Sequence, residues 1–251
     1  MSRADGFKRN KLGPTDLKTA SSMTLVPLSS DGPNRASAAQ RTYAILRSRI
    51  VNLDLKPGEL ISKRDIAAEL DVSQTPVREA LVLLEEEGLV DIFPQSRTQV
   101  SYVDVQSARE AHFLRRSVEV EIARELAPKI SAPEILELRS LVALQRVYLE
   151  NSDLRAFADC DNEFHFCIYK MANISGLYAV IDSQRAHLDR LRRLHLPQTG
   201  KASAIIQEHS AIVDSLENGD PMSAETAVRE HLKGTVSATE EIRAHFHEYF
   251  P

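Results

Sequence analysis

Across residues 36–53 apolar side chains recur at helical spacing, with Ile45, Leu46, Ile50 and Leu53 marking the buried side, and Lys56-Pro57-Gly58 ends the run. Leu60 is expected to bring the chain back into the core. Two short helix patterns follow, separated by a tight turn. The first, 65–70, carries Ile66, Ala67 and Leu70 on one face. The second follows Ser73 and Thr75, both good N-cap residues, and has Pro76 in its first turn. It repeats Val77, Leu81 and Leu84 at helical spacing and stops at Gly88. Residues 89–93 and 98–103 then read as two short strands joined by a turn at 94–97. An ordinary helical hairpin would explain the two helices but not the strands behind them. Helix-turn-helix plus hairpin predicts a winged helix over 36–103.

From Asp104, a plausible N-cap, the pattern is helix after helix: 104–127, 132–150, 153–172, 175–196, 201–218 and 221–247. Breakers fall in the gaps, among them Pro128 with Pro133, Pro197 to Gly200, and Asn218-Gly-Asp-Pro221. No strand signal competes. The expected fold is mainly α, a winged helix-turn-helix followed by an all-α antiparallel bundle of six helices over 104–251.

Residues 1–35 mix Gly, Pro, Ser, Lys and Asp without periodicity and read as a disordered tail whose Lys8, Arg9, Lys11 and Lys18 are solvated. A hydrophobic content of 43% over 251 residues supports real cores in two domains. No apolar run is long enough for a membrane span or a signal peptide, so a cytoplasmic protein with no membrane partner is expected. Cys160 and Cys167, seven residues apart in one helix pattern, are about 10 Å apart and read as buried free thiols. The net charge of −5 is uneven: residues 1–103 hold 14 Lys/Arg against 13 Asp/Glu, so the acidic surplus lies in the second half. Arg41, Arg47, Arg49, Lys63, Arg64, Arg78 and Arg97 can therefore still meet phosphates. Ser73, Gln74, Thr75 and Arg78, at the start of the second helix of the pair, would face a major groove.

Polar residues interrupt three apolar faces in the second half. One helix has Leu154, Phe157, Ala158, Asp161, His165 and Ile168 in a stripe, another Ile205, His209, Ile212 and Leu216, and the last Ala224, Val228, His231 and Thr235. Asp161 and His165 are i and i+4, on one face. A carboxylate on a core face is costly unless compensated, and a divalent cation compensates it directly. Asp161, His165, His209 and His231 are thus candidate ligands for zinc, with nickel, manganese or iron as alternatives. Arg115 and Glu119 form a second inward i, i+4 pair. They make either a structural ion pair or a guanidinium poised for the carboxylate of an effector. Asn173 and Arg193 are further candidates. Arg190, Arg192 and Arg193 together suggest a solvated face, and His187 suggests no role.

Three stretches resemble the GntR family of bacterial transcription regulators: Leu55-Lys-Pro-Gly-Glu-Leu60, Val72-Ser-Gln-Thr-Pro-Val-Arg-Glu-Ala-Leu81 and Glu87-Gly-Leu-Val90. Asp161-Asn-Glu-Phe-His165, Glu208-His209 and Glu230-His231-Leu232 resemble the FCD domain of its FadR subfamily, and six helices directly after the wing suggest the VanR-like branch. The resemblance covers about 36–247. It implies a dimer that binds palindromic operator DNA through Arg64, Gln74 and Arg78, more as repressor than activator. It also implies that the Asp and three His hold a metal, beside which a small organic acid binds. The sequence departs from the family at Gln74, where Arg is frequent. It departs again in the wing, where Pro94-Gln-Ser-Arg-Thr98 replaces a glycine tip, so that Arg97 there reaches the minor groove or phosphate or else points at solvent. Outside the family reading, an Asp/His3 site with an open position could activate water in a metal-dependent hydrolase. The sequence offers no further Glu or His as its general base, and we expect no enzyme.

Overall fold

A computed structural model describes residues 37–251. The expected tail, with Lys8, Arg9, Lys11 and Lys18, lies outside the described residues. Helix α1 (Ala38–Val51) starts at a Ser37/Gln40 capping box, in which Ser37 Oγ accepts from the Gln40 N–H at 3.1 Å. Helices α2 (Lys63–Glu69) and α3 (Gln74–Glu86) start at Ser62 and Ser73. Strands β1 (Val90–Phe93) and β2 (Arg97–Val100) pair antiparallel, Val90 opposite Val100 and Phe93 opposite Arg97. Gly88 ends α3 at φ +70, where a side chain would be strained. At the wing tip Gln95 takes the left-handed conformation (φ 55) itself. Leu46, Ile50, Ile66, Val77, Leu81, Leu84, Leu89 and Val100 form the core of this winged unit.

Two expectations for this core shift. Ile45 is 39% exposed, and Thr42 completes the inner side of α1 instead. Leu60 is 64% exposed while Ile61 is buried. Leu60 bridges Gln99 as an extended segment, so alternation by two sends its neighbour inward.

The six expected later helices are present, and two are broken. Helices α4 (Val105–Leu126), α5 (Ala132–Glu150), α6 (Leu154–Met171) and α9 (Lys201–Glu217) run unbroken. The 175–196 pattern divides at Arg185 into α7 (Ser175–Gln184) and α8 (Ala186–His195). The 221–247 pattern divides at Ala238 into α10 (Pro221–Ser237) and α11 (Thr239–His245), followed by a 3-10 turn, His247–Tyr249. Neither break has a Gly or Pro. At the first, Arg185 leaves helical geometry (ψ 6), pairs with both Asp182 and Asp189, and Ala186 drops into the winged core. At the second, Thr239 turns its hydroxyl back onto Val236 O, and Ile242 packs with Val103, Leu188 and Leu191. The bundle's main core runs through Phe157, Phe164, Ile168, Tyr169, Ile212 and Leu216. No helix among the described residues is long and apolar enough to cross a membrane. Cys160 and Cys167 are buried free thiols.

The winged unit meets the bundle along one side of α8. His187 Nδ1 accepts the Asp104 N–H at 3.0 Å, and its Nε2 donates to Gly88 O at 3.1 Å. Arg190, fully buried, donates to Ser101 O at 2.6 Å and to Tyr102 O at 3.4 Å. Arg47 reaches from α1 to Glu87 at 2.8 Å and to Asp182 O at 2.7 Å. The expected solvated face of Arg190, Arg192 and Arg193 is therefore wrong for all three, since Arg192 and Arg193 keep only 20% and 14% of their side-chain surface exposed. Each has a partner on another element, Arg190 at Ser101, Arg192 at Asp161 and Arg193 at Asp159.

Candidate metal centre and DNA-facing helix

Helices α6, α9 and α10 bring Asp161, His165, His209 and His231 together. All four are buried, and one ligand atom from each lies within 4.8 Å of the others. Two of the imidazoles are hydrogen-bonded at Nδ1: His209 Nδ1 is 2.9 Å from Gln145 Oε1 and His231 Nδ1 is 2.9 Å from Glu208 Oε2, whereas His165 Nδ1 lies 2.9 Å from Glu119 Oε2 without hydrogen-bond geometry. Phe164 also stacks on His209 with ring centroids 4.0 Å apart. The acceptors on His209 and His231 place the proton on Nδ1, which turns their Nε2 lone pairs inward, toward the Nε2 of His165.

The Nε2 of His231 is 3.1 Å from that of His165 and 3.2 Å from that of His209. With no proton between them, such contacts repel unless a cation lies at their centre. Imidazoles bound to one divalent ion at ~2.0–2.1 Å keep their nitrogens about 3.0–3.4 Å apart, so the spacing fits such an ion. Asp161 Oδ1 is buried without a hydrogen-bond partner, 3.6 Å from His209 Nε2. Burial holds the His231 imidazole down to about 4, and burial likewise keeps His165 and His209 well below the ordinary histidine range. Burial alone would raise Asp161, but Arg192 and the three imidazoles outweigh it and keep the carboxyl ionised. Neutral imidazoles and an ionised carboxylate are the states that ligate metals.

Beside this cluster lies a cavity of about 30 Å³, bounded by Arg115, Asp161, Arg192, Lys201 and His231. Arg115 bonds Glu119 at 2.7 Å through Nε, while its Nη2 is buried without a partner. Arg192 pairs with Asp161 and bonds Asp189 at 3.0 Å. Lys201 lies over Gly234, where a Cβ would stand 2.5 Å from Nζ. Among the expected effector residues, Arg115 lines this cavity. Glu119 instead holds Arg115 and lies against His165. Arg193 bonds Asp159 at 3.0 Å and borders a neighbouring cavity. Asn173 is exposed and lines no cavity described here; its left-handed backbone (φ 59) closes α6, so its role is in the turn. The sequence places Arg192 on a solvated face and gives Lys201, Gln145 and the Glu208 contact no role. Gln145 carries the signal that found the histidines, a polar residue on the stripe Ile135, Leu138, Val142. The two carboxylates that approach the cluster are both occupied, Glu208 on His231 Nδ1 and Glu119 on Arg115 Nε beside His165.

In the winged unit Ser73, Gln74, Thr75 and Arg78 are all exposed at the start of α3, because Val77, Ala80 and Leu81 take its inner face. Arg64 is exposed on α2, with Lys63 half-buried beside it, and among the described residues Lys63, Arg64 and Arg78 form no ion pair. Arg97 is exposed at the wing, 4.6 Å above the Phe93 ring. Arg41 is exposed on α1. Arg47 and Arg49 are not available as the sequence suggested: Arg47 holds Glu87, and Arg49 holds Glu69 at 2.9 Å.

Comparison with known proteins agrees with this arrangement. Residues 38–100 match the model for "Bacterial regulatory proteins, gntR family", and residues 110–234 match the FCD domain. An HTH-type transcriptional regulator in an unstable DNA locus of Streptomyces ambofaciens is 36% identical over 208 residues, covering 83% of this chain and 87% of the relative. The HTH-type transcriptional repressor RspR of Escherichia coli is 28% identical over 211 residues, 84% of this chain and 92% of that protein. The solved structure of E. coli McbR/YncC superposes with a TM-score of 0.70 at 19% identity, over 82% of this chain and 99% of that one, and so shares the fold. These relatives are regulators rather than enzymes, which sets the hydrolase alternative aside. With both domains matched in order and more than a third of the residues shared with one relative across most of the chain, the protein belongs to the GntR family of bacterial transcription regulators and carries a C-terminal FCD domain.

Proposed function

We propose that this regulator is a homodimeric repressor, in the FadR subfamily and its VanR-like branch, whose affinity for a palindromic operator responds to a small carboxylic acid bound beside a divalent metal. Asp161, His165, His209 and His231 would hold the ion, zinc first among the candidates, and the ion would supply a Lewis-acidic anchor for the acid's carboxylate. The observation that carries this reading is the convergence of three buried imidazole Nε2 atoms on an unpartnered carboxylate oxygen. Arg115 supports it, with a buried guanidinium nitrogen free beside the cluster, as do Arg192 and Lys201. For DNA, Arg64, Gln74, Thr75 and Arg78 would read bases from α2 and α3. Ser73, Lys63 and Arg41 would meet phosphate, and Arg97 the minor groove or phosphate. A dimer is supported by the exposed apolar side chains Phe113 on α4 and Leu177 and Val180 on the adjoining α7.

The test is calorimetric titration of chelator-treated protein with zinc, nickel and manganese, paired with metal analysis of the protein as purified. Wild type should bind one ion per chain and gain thermal stability by mass action. His209→Ala should lose most of the affinity. Equal binding by both proteins would overturn the ligand set.

A further inference from the structure

The wing carries a pair of side chains that the winged core does not use. Pro94, whose ring fixes its backbone, and Gln95, at φ 55, make a tight turn closed by the Ser96 N–H donating to Phe93 O at 3.1 Å. The turn sets Phe93 opposite Arg97, and the guanidinium lies 4.6 Å above the centre of the ring. Among the described residues the Arg97 side chain has no ion pair and no hydrogen bond, so the ring is what holds it. Phe93 itself is 43% exposed. The segment before α2 fixes where this pair stands. The Ile61 N–H donates to Thr98 O at 2.8 Å and Leu60 bridges Gln99, an antiparallel register that runs on to Ser62 beside Arg97. Ser62 is the N-cap of α2, so Arg97 comes next to the start of that helix, where Lys63 and Arg64 stand. Glu85 of α3 accepts the Ile92 N–H at 3.2 Å and ties the wing to the second helix as well.

From this arrangement we propose that the Phe93–Arg97 stack reads the width of the minor groove, and so gives the operator a requirement for A·T pairs flanking the bases that α3 contacts. The inference rests on the reading that α3 lies in a major groove, and it assigns Arg97 to the minor groove rather than to phosphate. A stacked guanidinium has its face covered and its N–H edge free, the aspect that fits a narrow cleft floored by adenine N3 and thymine O2. Runs of A·T pairs narrow that groove and make its potential more negative, which favours arginine there, whereas guanine puts a 2-amino donor on its floor. Stacking also lowers the entropy cost of fixing a long side chain on binding. The ring gains in the same step, since on the free wing it faces water and against a deoxyribose wall it is buried. A phosphate contact would need neither the ring nor the pairing, because a mobile cation serves it equally.

The experiment uses the full-length protein and a duplex obtained by binding-site selection, with its flanks remade as A·T, G·C or inosine·cytosine pairs. Inosine lacks the 2-amino group of guanine, so its pair with cytosine presents G·C to the major groove and resembles A·T in the minor groove. Wild type should bind A·T and inosine·cytosine flanks alike and lose about five- to tenfold on G·C flanks. Arg97→Lys keeps the charge and gives up the flat stacked group; it should bind all three flanks alike, with the salt dependence of wild type. Phe93→Leu should lose most of the discrimination with Arg97 intact. Both side chains lie outside the buried core of the winged unit, and circular dichroism checks that the variants fold. Equal binding of all three flanks by wild type, discrimination retained in Arg97→Lys, or inosine·cytosine behaving as G·C each overturns minor-groove reading by Arg97 while leaving α3 in its groove. Full discrimination in Phe93→Leu overturns the role of the ring. If selection yields no preferred core sequence, or Arg78→Ala leaves that preference unaltered, the docking of α3 fails and this inference with it.

Discussion

Protonation of His187 should loosen the joint between the winged unit and the bundle. The ring uses both nitrogens there, accepting from the backbone of Asp104 and donating to Gly88 O. A second proton would have to go on Nδ1, against that N–H and with Arg190 Nη1 only 3.4 Å away. Burial, then the Arg190 charge, push the imidazole from 6.5 down to about 4, against smaller opposing contributions from the Gly88 carbonyl and Asp104. A folded-state value below the unfolded one means that the unfolded chain binds more protons. The stability is therefore fully present above about 6.5 and is lost as pH falls toward 4. At 1.36 kcal/mol for each unit the loss is about 3 kcal/mol, an appreciable share of a typical domain's stability. The assay is urea unfolding between pH 7.5 and 4 for wild type and His187→Gln, whose side chain does not titrate. Other buried histidines titrate in both proteins and cancel in the difference. Wild type should lose up to about 3 kcal/mol more than the variant over this range. Parallel losses would refute the reasoning and mean that His187 is solvated or unconstrained.

Removing the carboxylate behind one ligand should weaken the metal site without touching a ligand. Glu208→Gln is expected to cost about 10–100-fold in zinc affinity, read by competition with a chromophoric chelator, and unchanged affinity would show that the contact to His231 Nδ1 does not orient the ring. At the DNA-facing helix, Arg78→Ala should cost about 1–3 kcal/mol and relax preference at one base pair, whereas Lys63→Ala should weaken binding to all sequences alike and reduce the salt slope. Binding-site selection followed by salt titration separates the two, and an Arg78→Ala protein with unaltered preference would contradict the groove assignment.

Much of this molecule is written locally. Gly88, Pro197 to Gly200 and Pro221 punctuate the chain because they restrict or free the backbone wherever they stand. The stripe Val77, Leu81, Leu84 orients α3 because a 3.6-residue period has only one face to bury. That same rule puts Gln74, Thr75 and Arg78 outside. It also exposes His165, His209 and His231 as anomalies, since a polar side chain on an apolar stripe is costly in any fold. What periodicity cannot say is which buried faces meet. Arg190, Arg192 and Arg193 look solvated in sequence, yet Arg190 is buried against Ser101, 89 residues away, and Arg192 against Asp161. The break at Arg185 has no local cause; it follows from Ala186 and His187 being drawn onto the winged unit. Glu119 is legible as a partner for Arg115 four residues earlier, but its 2.9 Å approach to His165 depends on α4 crossing α6. The elements and their inner faces are set by short-range sterics and hydrophobicity, while the convergence of the imidazoles on Asp161 exists only once distant faces have packed together.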